Sequence, residues 1–249
     1  QKFDAIVSAD GDSDRPLVSD ETGKWLRGDV AGVLCARFLG ADSVCTPVSC
    51  NTALELTGWF KNIRRTRIGS PFVVAAMNAA TRAGGRVVVG YEANGGFLLN
   101  SPVELGGRVL GPLPTRDAVI VILSVLLLAK ARVCSVSSLA ASLPPRFTSS
   151  GLLKNFATEK SRALLDRFTT GAEAGDRSEL ERVFGADFGP VQAINRTDGI
   201  RVTFSSGEIV HLRPSGNAPE FRCYTEASDE QQAVAMTETA VSLVRRISA

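Results

Sequence analysis

The sequence predicts an α/β domain followed by a smaller α+β domain that contains an antiparallel sheet. Between about residues 29 and 143, short β-branched segments alternate with segments whose apolar residues recur at helical spacing. Residues 143–151 then bring two prolines, three small hydroxyl residues and a glycine, which is the composition of a linker. Beyond this linker, three strand-like segments separated by Ser-Gly and Gly-Asn turns favour antiparallel pairing.

The elements of the first domain are predicted from periodicity and from the residues that end them. Gly40 and the pair Gly84-Gly85 end two of the longer helices, because glycine readily adopts the left-handed conformation that closes a helix. The most apolar segment, residues 118–129, is shorter than the roughly 20 residues that cross a bilayer, so we expect a buried helix. A hairpin is expected over residues 16–26, with its turn near Gly23. The predicted strands are 3–7, 44–48 and 86–89, and the predicted helices are 29–39, 53–60, 72–83 and 117–131.

The second domain is predicted to end in a long helix from about residue 229 to residue 247. Ser228 is its expected N-cap, because Gln231 stands three residues further on and completes a capping box. The remaining predicted elements are a helix at 161–168 and strands at 199–204, 208–213 and 221–226.

Composition and charge exclude several classes of protein. The 249 residues carry a net charge of +2, which gives no electrostatic case for binding nucleic acid or an anionic membrane. Five scattered cysteines without a CxxC pair indicate reduced thiols in a cytoplasmic protein rather than a disulfide framework or a zinc site. The only histidine, His211, lies in an alternating strand, which favours a packed residue over a catalyst. No signal peptide is recognised, and the chain begins at Gln1 inside an apparent strand and without a Met, so we expect a fragment of a longer protein or a processed or truncated form.

Three aspartates at alternating positions form the most informative stretch of the chain. Asp10, Asp12 and Asp14 follow a predicted strand, and α/β sheets place their chemistry at the carboxyl ends of strands. Carboxylates this close repel one another, so ordering them requires a cation. Oxygen ligands without a neighbouring histidine or cysteine favour Mg²⁺ or Ca²⁺ over zinc.

Other interpretations of this acidic loop remain open at this point. In an EF-hand, the three aspartates and Glu21 would occupy ligand positions, but Arg15 stands where the sharp turn needs glycine. An EF-hand also requires a helix before the loop, where the sequence predicts a strand. An aspartyl-phosphate hydrolase needs a hydrophobic and a hydroxyl residue directly after its aspartate pair, which Ser13 and Asp14 do not supply. An acidic turn without an ion is a further possibility.

A second candidate site is a glycine-rich turn after the strand at 86–89. Glu92 and Asn94 stand two residues apart, so in an extended loop their side chains would point the same way. A carboxylate that accepts hydrogen bonds, beside an amide that donates and accepts them, suits the neighbouring hydroxyls of a sugar. The alternative is an ordinary glycine turn.

A third candidate site lies in the turn between two strands of the second domain. Gly216 lets backbone N–H groups turn inward to form an anion-binding nest, and Ser215 and Asn217 add side-chain donors. Arg213 can clamp phosphate oxygens with two parallel hydrogen bonds, and Arg222 lies at the edge of the next strand. The alternative is a hairpin with surface arginines.

In this order, the three loops resemble those of the α-D-phosphohexomutase family, the phosphoglucomutases and phosphomannomutases. Residues 10–15 resemble its magnesium loop, residues 90–96 its sugar-specificity loop, and residues 213–219 its phosphate-binding loop. Asn94 stands where the family usually has serine, and Asn217 where it usually has threonine, so the preference for glucose or mannose stays open. The family's phosphorylated serine lies in a Ser-His-Asn-Pro type motif, which this chain does not contain.

The resemblance implies a phosphohexomutase-like division of the chain. Residues 1–28 would form the end of the second, metal-loop domain, and residues 29–143 the α/β sugar-binding domain. Residues 144–154 would be the linker, and residues 155–249 the α+β phosphate-binding domain. The serine-bearing N-terminal domain would be a partner within the same protein.

The resemblance also implies a reaction, in which phosphate moves between O1 and O6 of a hexose through a bisphosphorylated sugar and a phosphoserine. The implied cofactor is Mg²⁺ on the three loop aspartates, and the implied substrate is a hexose phosphate. Arg15 would act as a catalytic residue by adding positive charge close to the metal. Arg67 and Arg222 are further candidates for phosphate contacts. Without the serine, the chain alone is expected not to turn over, and a non-catalytic sugar-phosphate-binding module is the alternative.

Overall fold

The computed structural model describes residues 2–216 and 218–248 of the chain. These residues divide into two compact units, with the boundary between Pro144 and Pro145. Each unit has its own buried apolar core, the first built on a mixed sheet and the second on an antiparallel sheet. The predicted fold class, an α/β domain followed by an α+β domain with an antiparallel sheet, is therefore confirmed.

The first unit begins with a two-stranded antiparallel sheet, in which β1 (Ile6–Ala9) pairs with β2 (Pro16–Ser19). The acidic loop connects these two strands. The predicted hairpin at 16–26 is present, with an antiparallel bridge between Ser19 and Trp25 and a turn closed by a hydrogen bond from Gly23 N to Asp20 O. The Asp20 carboxylate organises this turn by accepting hydrogen bonds from the Thr22 backbone and hydroxyl and from the Lys24 backbone. Backbone hydrogen bonds from Asp20 N to Lys24 O and from Leu26 N to Val18 O pair the two sides of this hairpin.

A mixed four-stranded sheet forms the centre of the first unit, with strand order β4-β3-β5-β6. Its first three strands along the chain are parallel, and β6 runs antiparallel to β5. A separate pair, β7 and β8, forms a small hairpin. The strands are β3 (Ser43–Pro47), β4 (Asn62–Thr66), β5 (Val88–Tyr91), β6 (Phe97–Leu99), β7 (Val103–Leu105) and β8 (Arg108–Leu110).

Helices cover both faces of this sheet. Side chains on one face pack with α1 and α4, whereas Val73 and Met77 of α3 pack on the other face. Successive residues of β5 alternate between the two cores, with Val88 on the α3 side and Val89 on the α1 side, as the period of a strand requires. The helices are α1 (Gly28–Phe38), α2 (Ala53–Leu56), α3 (Ser70–Arg82), α4 (Ala118–Ala131) and α5 (Val136–Ala141).

The apolar segment 118–129 forms α4, but the helix is not buried on all sides as expected. Val119, Leu123 and Leu127 recur every four residues, so they share one face, and 45–61% of each side chain is exposed. The opposite face, which includes Val121 and Val125, is fully buried. No helix in the described ranges combines the length and apolarity needed to span a bilayer.

The second unit is a five-stranded antiparallel sheet with strand order β10-β11-β12-β13-β9 and three helices. Aromatic side chains such as Phe168, Phe184 and Phe204 dominate its core. The strands are β9 (Phe147–Lys154), β10 (Val191–Asn195), β11 (Ile200–Phe204), β12 (Ile209–Pro214) and β13 (Glu220–Ala227). The helices are α6 (Thr158–Arg167), α7 (Glu173–Phe188) and α8 (Glu230–Ile247).

Two details of the second unit differ from the expectations. Most of the expected linker, residues 144–154, is strand β9, which pairs with β13 over its whole length. Gly151 in β9 allows α8 to approach closely, because an added Cβ would lie 2.8 Å from the Thr237 side chain. The N-cap of α8 is Asp229, whose carboxylate accepts a hydrogen bond from the Gln232 backbone, so the capping box predicted at Ser228 is wrong.

Candidate functional site

The acidic loop between β1 and β2 brings its three aspartates together. One carboxylate oxygen from each of Asp10, Asp12 and Asp14 lies within 4.8 Å of the others. The loop is closed by backbone hydrogen bonds from Asp10 N to Arg15 O and from Ser13 N to Asp10 O. Because β1 directly precedes the loop, where an EF-hand requires a helix, and pairs with β2 after it, the EF-hand interpretation is wrong.

The charges of this loop fit a divalent cation. The Oδ2 of Asp10 and the Oδ1 of Asp14 are buried and accept no hydrogen bond from the described residues. Both oxygens are ion-paired with Arg15, whose Nε lies 2.5 Å from Asp10 Oδ2 and 3.5 Å from Asp14 Oδ1. Burial raises the pKa of Asp10, but the backbone hydrogen bond and positive charge of Arg15 outweigh it, and the pKa falls below its usual range. Three carboxylates that each bring one hard oxygen to the same place are a donor set that suits Mg²⁺.

The carboxyl ends of the parallel strands position the second loop. Glu92 directly follows β5, and its loop closes through hydrogen bonds from Glu92 N to Gly96 O and from Gly95 N to Glu92 O. The Glu92 side chain is 95% buried, whereas Asn94 is exposed. The Oδ1 of Asn94 accepts a hydrogen bond from the Gly96 backbone, so it stabilises its own turn. The side chains of Glu92 and Asn94 therefore differ in environment, although both lie in the same loop.

Arg116 joins the acidic loop to the Glu92 loop. Its Nη1 donates to Asp14 Oδ2 at 3.0 Å, and its Nη2 and Nε donate to Glu92 Oε2 at 2.9 and 3.2 Å. Burial lowers the pKa of Arg116, but its hydrogen bonds to Asp14 and Glu92 outweigh this and raise the pKa above its usual value. Sequence reasoning missed Arg116, because a single arginine before the N-cap of α4 belongs to no local motif.

Glycines make the close approach of the two loops possible. A Cβ on Gly96 would lie 2.8 Å from Nε of Arg116, and a Cβ on Gly95 would lie 3.2 Å from the Pro16 ring. Gly28, the first residue of α1, approaches so closely that a Cβ there would lie 2.1 Å from the Gly95 nitrogen. The structure thus places the magnesium-loop and sugar-loop candidates side by side.

The first turn of α3 contributes a second missed residue, Ser70. Its hydroxyl donates to Glu92 Oε2 at 2.8 Å. The N-terminus of a helix has a partial positive charge, so the first turn of α3 offers the Glu92 carboxylate a favourable electrostatic environment. Arg67 lies in the segment that leads into this helix, where its guanidinium stands 5.0 Å from the centre of the exposed Phe72 ring. No contact of Arg67 with either loop is observed among the described residues.

The phosphate-loop candidates lie in the second unit, between β12 and β13. Arg213 and Arg222 occupy directly opposite positions on the two strands. Like charges in such positions repel, and each arginine has an acidic neighbour: Arg213 lies 3.3 Å from Asp198, and Arg222 lies 3.5 Å from Glu220. The Ser215 backbone donates to Glu220 O at 2.8 Å, and the space around the Gly216 Cα is open. Asn217 lies outside the described residues.

His211 in β12 is a packed residue, as predicted. It is 2% exposed, and its Nε2 lies 2.6 Å from the Asp198 carbonyl oxygen. Burial lowers its pKa to about 4, so the ring is neutral at physiological pH. This environment gives it a structural role in the sheet.

Comparison with known proteins defines the class to which this fold belongs. The family model for the phosphoglucomutase/phosphomannomutase alpha/beta/alpha domain III matches residues 27–147. The model for the C-terminal domain of the same family matches residues 163–242. Both are domains of mutases that act on phosphorylated sugars.

Relatives and solved structures agree with these matches. A phosphomannomutase from Salmonella muenchen is 43% identical to this chain, in a match that covers 98% of this chain and 49% of the relative. A phosphomannomutase from Sinorhizobium fredii is also 43% identical, in a match that covers 93% of this chain and 47% of the relative. The structure of N-acetylphosphoglucosamine mutase from Aspergillus fumigatus with GlcNAc-6P and magnesium has a TM-score of 0.66 at 16% identity, covering 100% of this chain and 50% of that chain. A phosphoglucomutase/phosphomannomutase family protein from Burkholderia thailandensis has a TM-score of 0.65 at 18% identity, covering 96% and 46%. The chain belongs to the phosphoglucomutase/phosphomannomutase family, and it spans about half the length of the curated relatives it matches.

Proposed function

We propose that the chain supplies the carboxyl-terminal part of a phosphohexomutase that interconverts hexose 1-phosphate and hexose 6-phosphate. The observation that carries this proposal is the junction of the acidic loop and the Glu92 loop through Arg116. A cation site directly beside a hydrogen-bonding carboxylate suits a substrate that carries both a phosphate and ring hydroxyls. The two relatives at 43% identity are phosphomannomutases, which supports mannose phosphates as the first substrates to test.

The acidic loop is proposed to hold Mg²⁺ on Asp10, Asp12 and Asp14. When bound, the ion would neutralise charge on the transferring phosphoryl group. Arg15 lies against the same carboxylates and would add positive charge there. The Oε2 of Glu92 accepts all the hydrogen bonds that the described residues donate to this carboxylate, so Oε1 is proposed to accept a hydroxyl of the sugar. Asn94 would contribute its amide group.

The loop of the second unit is proposed to bind the phosphate that does not react. The opposed arginines Arg213 and Arg222 support this role, because an anion between like charges relieves their repulsion. Ser215, Gly216 and Asn217 would add donors, and Arg67 remains a proposed phosphate contact. Binding energy gained at this phosphate would position the reacting one.

The serine-bearing domain is proposed to lie in a further part of the same protein, with residues 1–28 completing a domain there. The sheet of β1 and β2 supports this partner. Two-stranded sheets are marginally stable alone, and this one exposes a set of large apolar side chains. These are Phe3, Ile6, Val7, Leu17 and Trp25. All five cysteines are free thiols, which supports the cytoplasm as the place of action.

Binding and turnover can be tested separately with the 249-residue chain. Titration calorimetry with mannose 1-phosphate in the presence of Mg²⁺ is expected to show binding, and Glu92→Gln is expected to weaken it. Phosphorus NMR with Mg²⁺ and a hexose bisphosphate is expected to show no conversion to mannose 6-phosphate, because the nucleophilic serine is missing. Conversion by this chain alone would refute the assigned need for the serine-bearing domain, and absence of binding would reject the proposal.

A non-catalytic sugar-phosphate-binding module is the second candidate function. It differs from the first candidate because it needs no Ser-His-Asn-Pro type motif in any part of the protein. The full-length coding sequence separates the two candidates, because the enzyme requires such a motif upstream.

A further inference from the structure

We propose that Arg116 is a positioning residue that couples cation binding at the acidic loop to sugar binding at Glu92. This inference rests on the function proposed above. It concerns a residue that lies in none of the three sequence motifs and that contacts two of them at once.

The contact of Arg116 with Asp14 uses only one of the two carboxylate oxygens. Arg116 Nη1 binds Oδ2 of Asp14 at 3.0 Å, whereas the buried Oδ1 of the same carboxylate lies toward Arg15. Arg116 and a cation in the loop would therefore share one carboxylate without competing for one oxygen. They would still repel each other, because both are positive and both bind Asp14.

The contact with Glu92 fixes the other carboxylate. Arg116 Nε, Arg116 Nη2 and Ser70 Oγ all donate to Oε2, which orients the side chain and leaves Oε1 directed elsewhere. Only 6% of this side chain is exposed, so these donors take the place of water around the carboxylate. Without Arg116, the carboxylate would retain one observed donor, the hydroxyl of Ser70.

The contacts of Arg116 with both carboxylates require the guanidinium of an arginine. Its side chain lies over Gly96, where any Cβ would stand 2.8–3.1 Å from Nε, Cδ and Cγ. Two contacts with Glu92 and one with Asp14 use the planar fork of a guanidinium. The ammonium group of a lysine is a single point of charge and cannot reach both carboxylates with this geometry.

This arrangement couples cation binding at the acidic loop to sugar binding at Glu92. A divalent cation on the loop would neutralise part of the charge of Asp14 and weaken its attraction for Arg116. Arg116 would then bind Glu92 more strongly and hold it in the orientation that the sugar requires. By linkage, bound sugar phosphate would increase the affinity for the cation through the same residue.

Removal of Arg116 is therefore expected to change the two affinities in opposite directions. In Arg116→Gln, Mg²⁺ should bind roughly 30-fold more tightly, the effect of removing a unit charge about 4 Å from a divalent ion under water-like screening. Mannose 1-phosphate, measured at saturating Mg²⁺, should bind at least about tenfold more weakly, which is within the usual range of coupling between sites. In Arg116→Lys, which keeps the charge, Mg²⁺ affinity should stay near the wild-type value while the sugar-phosphate affinity still falls.

Titration calorimetry of the 249-residue chain measures both constants. Arg86→Gln is the matched control, because Arg86 also pairs with an aspartate but is 90% exposed and precedes β5, at the opposite end from Glu92. A parallel fall in both affinities in Arg116→Lys and Arg116→Gln would show a merely structural role, and unchanged affinities would show no role, so either result overturns the inference. If the wild-type chain binds Mg²⁺ but no mannose 1-phosphate, the proposed function itself fails, and this inference fails with it.

Discussion

The close approach of α1 to the Glu92 loop predicts that Gly28→Ala damages the sugar site. The added Cβ would lie 2.1 Å from the nitrogen and 2.5 Å from the Cα of Gly95, and 2.6 Å from the Ala93 oxygen. Since non-bonded heavy atoms settle about 3.5 Å apart, the helix or the loop must move by roughly 1 Å or more. All three neighbours are backbone atoms, so a change of side-chain rotamer cannot relieve the contact.

The expected losses of stability and of sugar-phosphate affinity both follow from this displacement. Overpacking of a well-packed region typically costs about 1–3 kcal/mol of the free energy of unfolding. A displacement of about 1 Å at a binding group can reduce activity by roughly 100-fold. We therefore expect Gly28→Ala to lower the free energy of unfolding by about 2 kcal/mol and to weaken mannose 1-phosphate binding by more than about tenfold.

Urea unfolding and titration calorimetry test this prediction together. Gly185→Ala is the matched control, because Gly185 lies inside α7 and an added Cβ meets only the Glu181 Cβ, at 3.5 Å. This control should raise the free energy of unfolding by about 0.5–1 kcal/mol, since alanine is the better helix residue. Wild-type stability and affinity in Gly28→Ala would refute the close packing of α1 against the Glu92 loop.

Three further predictions follow from single residues. Val133 lies just after the C-cap of α4 with φ 52 and is 93% exposed, so Val133→Gly should raise the free energy of unfolding in urea by about 1 kcal/mol by removing the Cβ from a left-handed position. Asp12→Asn should weaken Mg²⁺ binding about tenfold in calorimetry. It should also slightly raise the free energy of unfolding of the metal-free chain, because the three carboxylates repel one another, and a lower free energy of unfolding would contradict this. The pKa of His211 falls from 6.5 to about 4 on folding. The stability that its neutral form contributes is therefore complete above pH 6.5 and is lost as the pH falls toward 4, and the full loss is about 3 kcal/mol of the free energy of unfolding. Urea midpoints between pH 4 and 7 should fall less steeply in His211→Gln than in the wild type, and identical slopes would contradict the neutral buried ring.

Local patterns were sufficient to predict the fold class and the nature of the loops. The helices over 29–39, 72–83 and 117–131 appear within one or two residues of their expected ends, because glycine and N-cap signals lie in the sequence itself. Strand β9 was missed because its hydroxyl residues and Gly151 have the composition of a linker. It becomes a strand through pairing with β13, which is about 75 residues away in sequence, and through packing against α8.

The candidate site shows the same division between local and long-range information. The three aspartates are close in sequence, so their cluster was predictable from spacing and charge alone. Arg116 lies 102 residues from Asp14 and 24 residues from Glu92, and only the folded sheet and α4 bring it between them. The buried position of Glu92 and the separate environment of Asn94 also depend on these tertiary contacts.

The acidic loop and the Glu92 loop are proposed to form one site for a cation and a phosphorylated sugar. A crystal structure of the chain with Mn²⁺ and mannose 1-phosphate tests this most directly, because manganese prefers the same oxygen ligands as magnesium and gives an anomalous signal. We predict a manganese peak among Asp10, Asp12 and Asp14, and a sugar hydroxyl hydrogen-bonded to Glu92. A manganese peak away from these aspartates, or a sugar bound without contact to Glu92, would contradict the account.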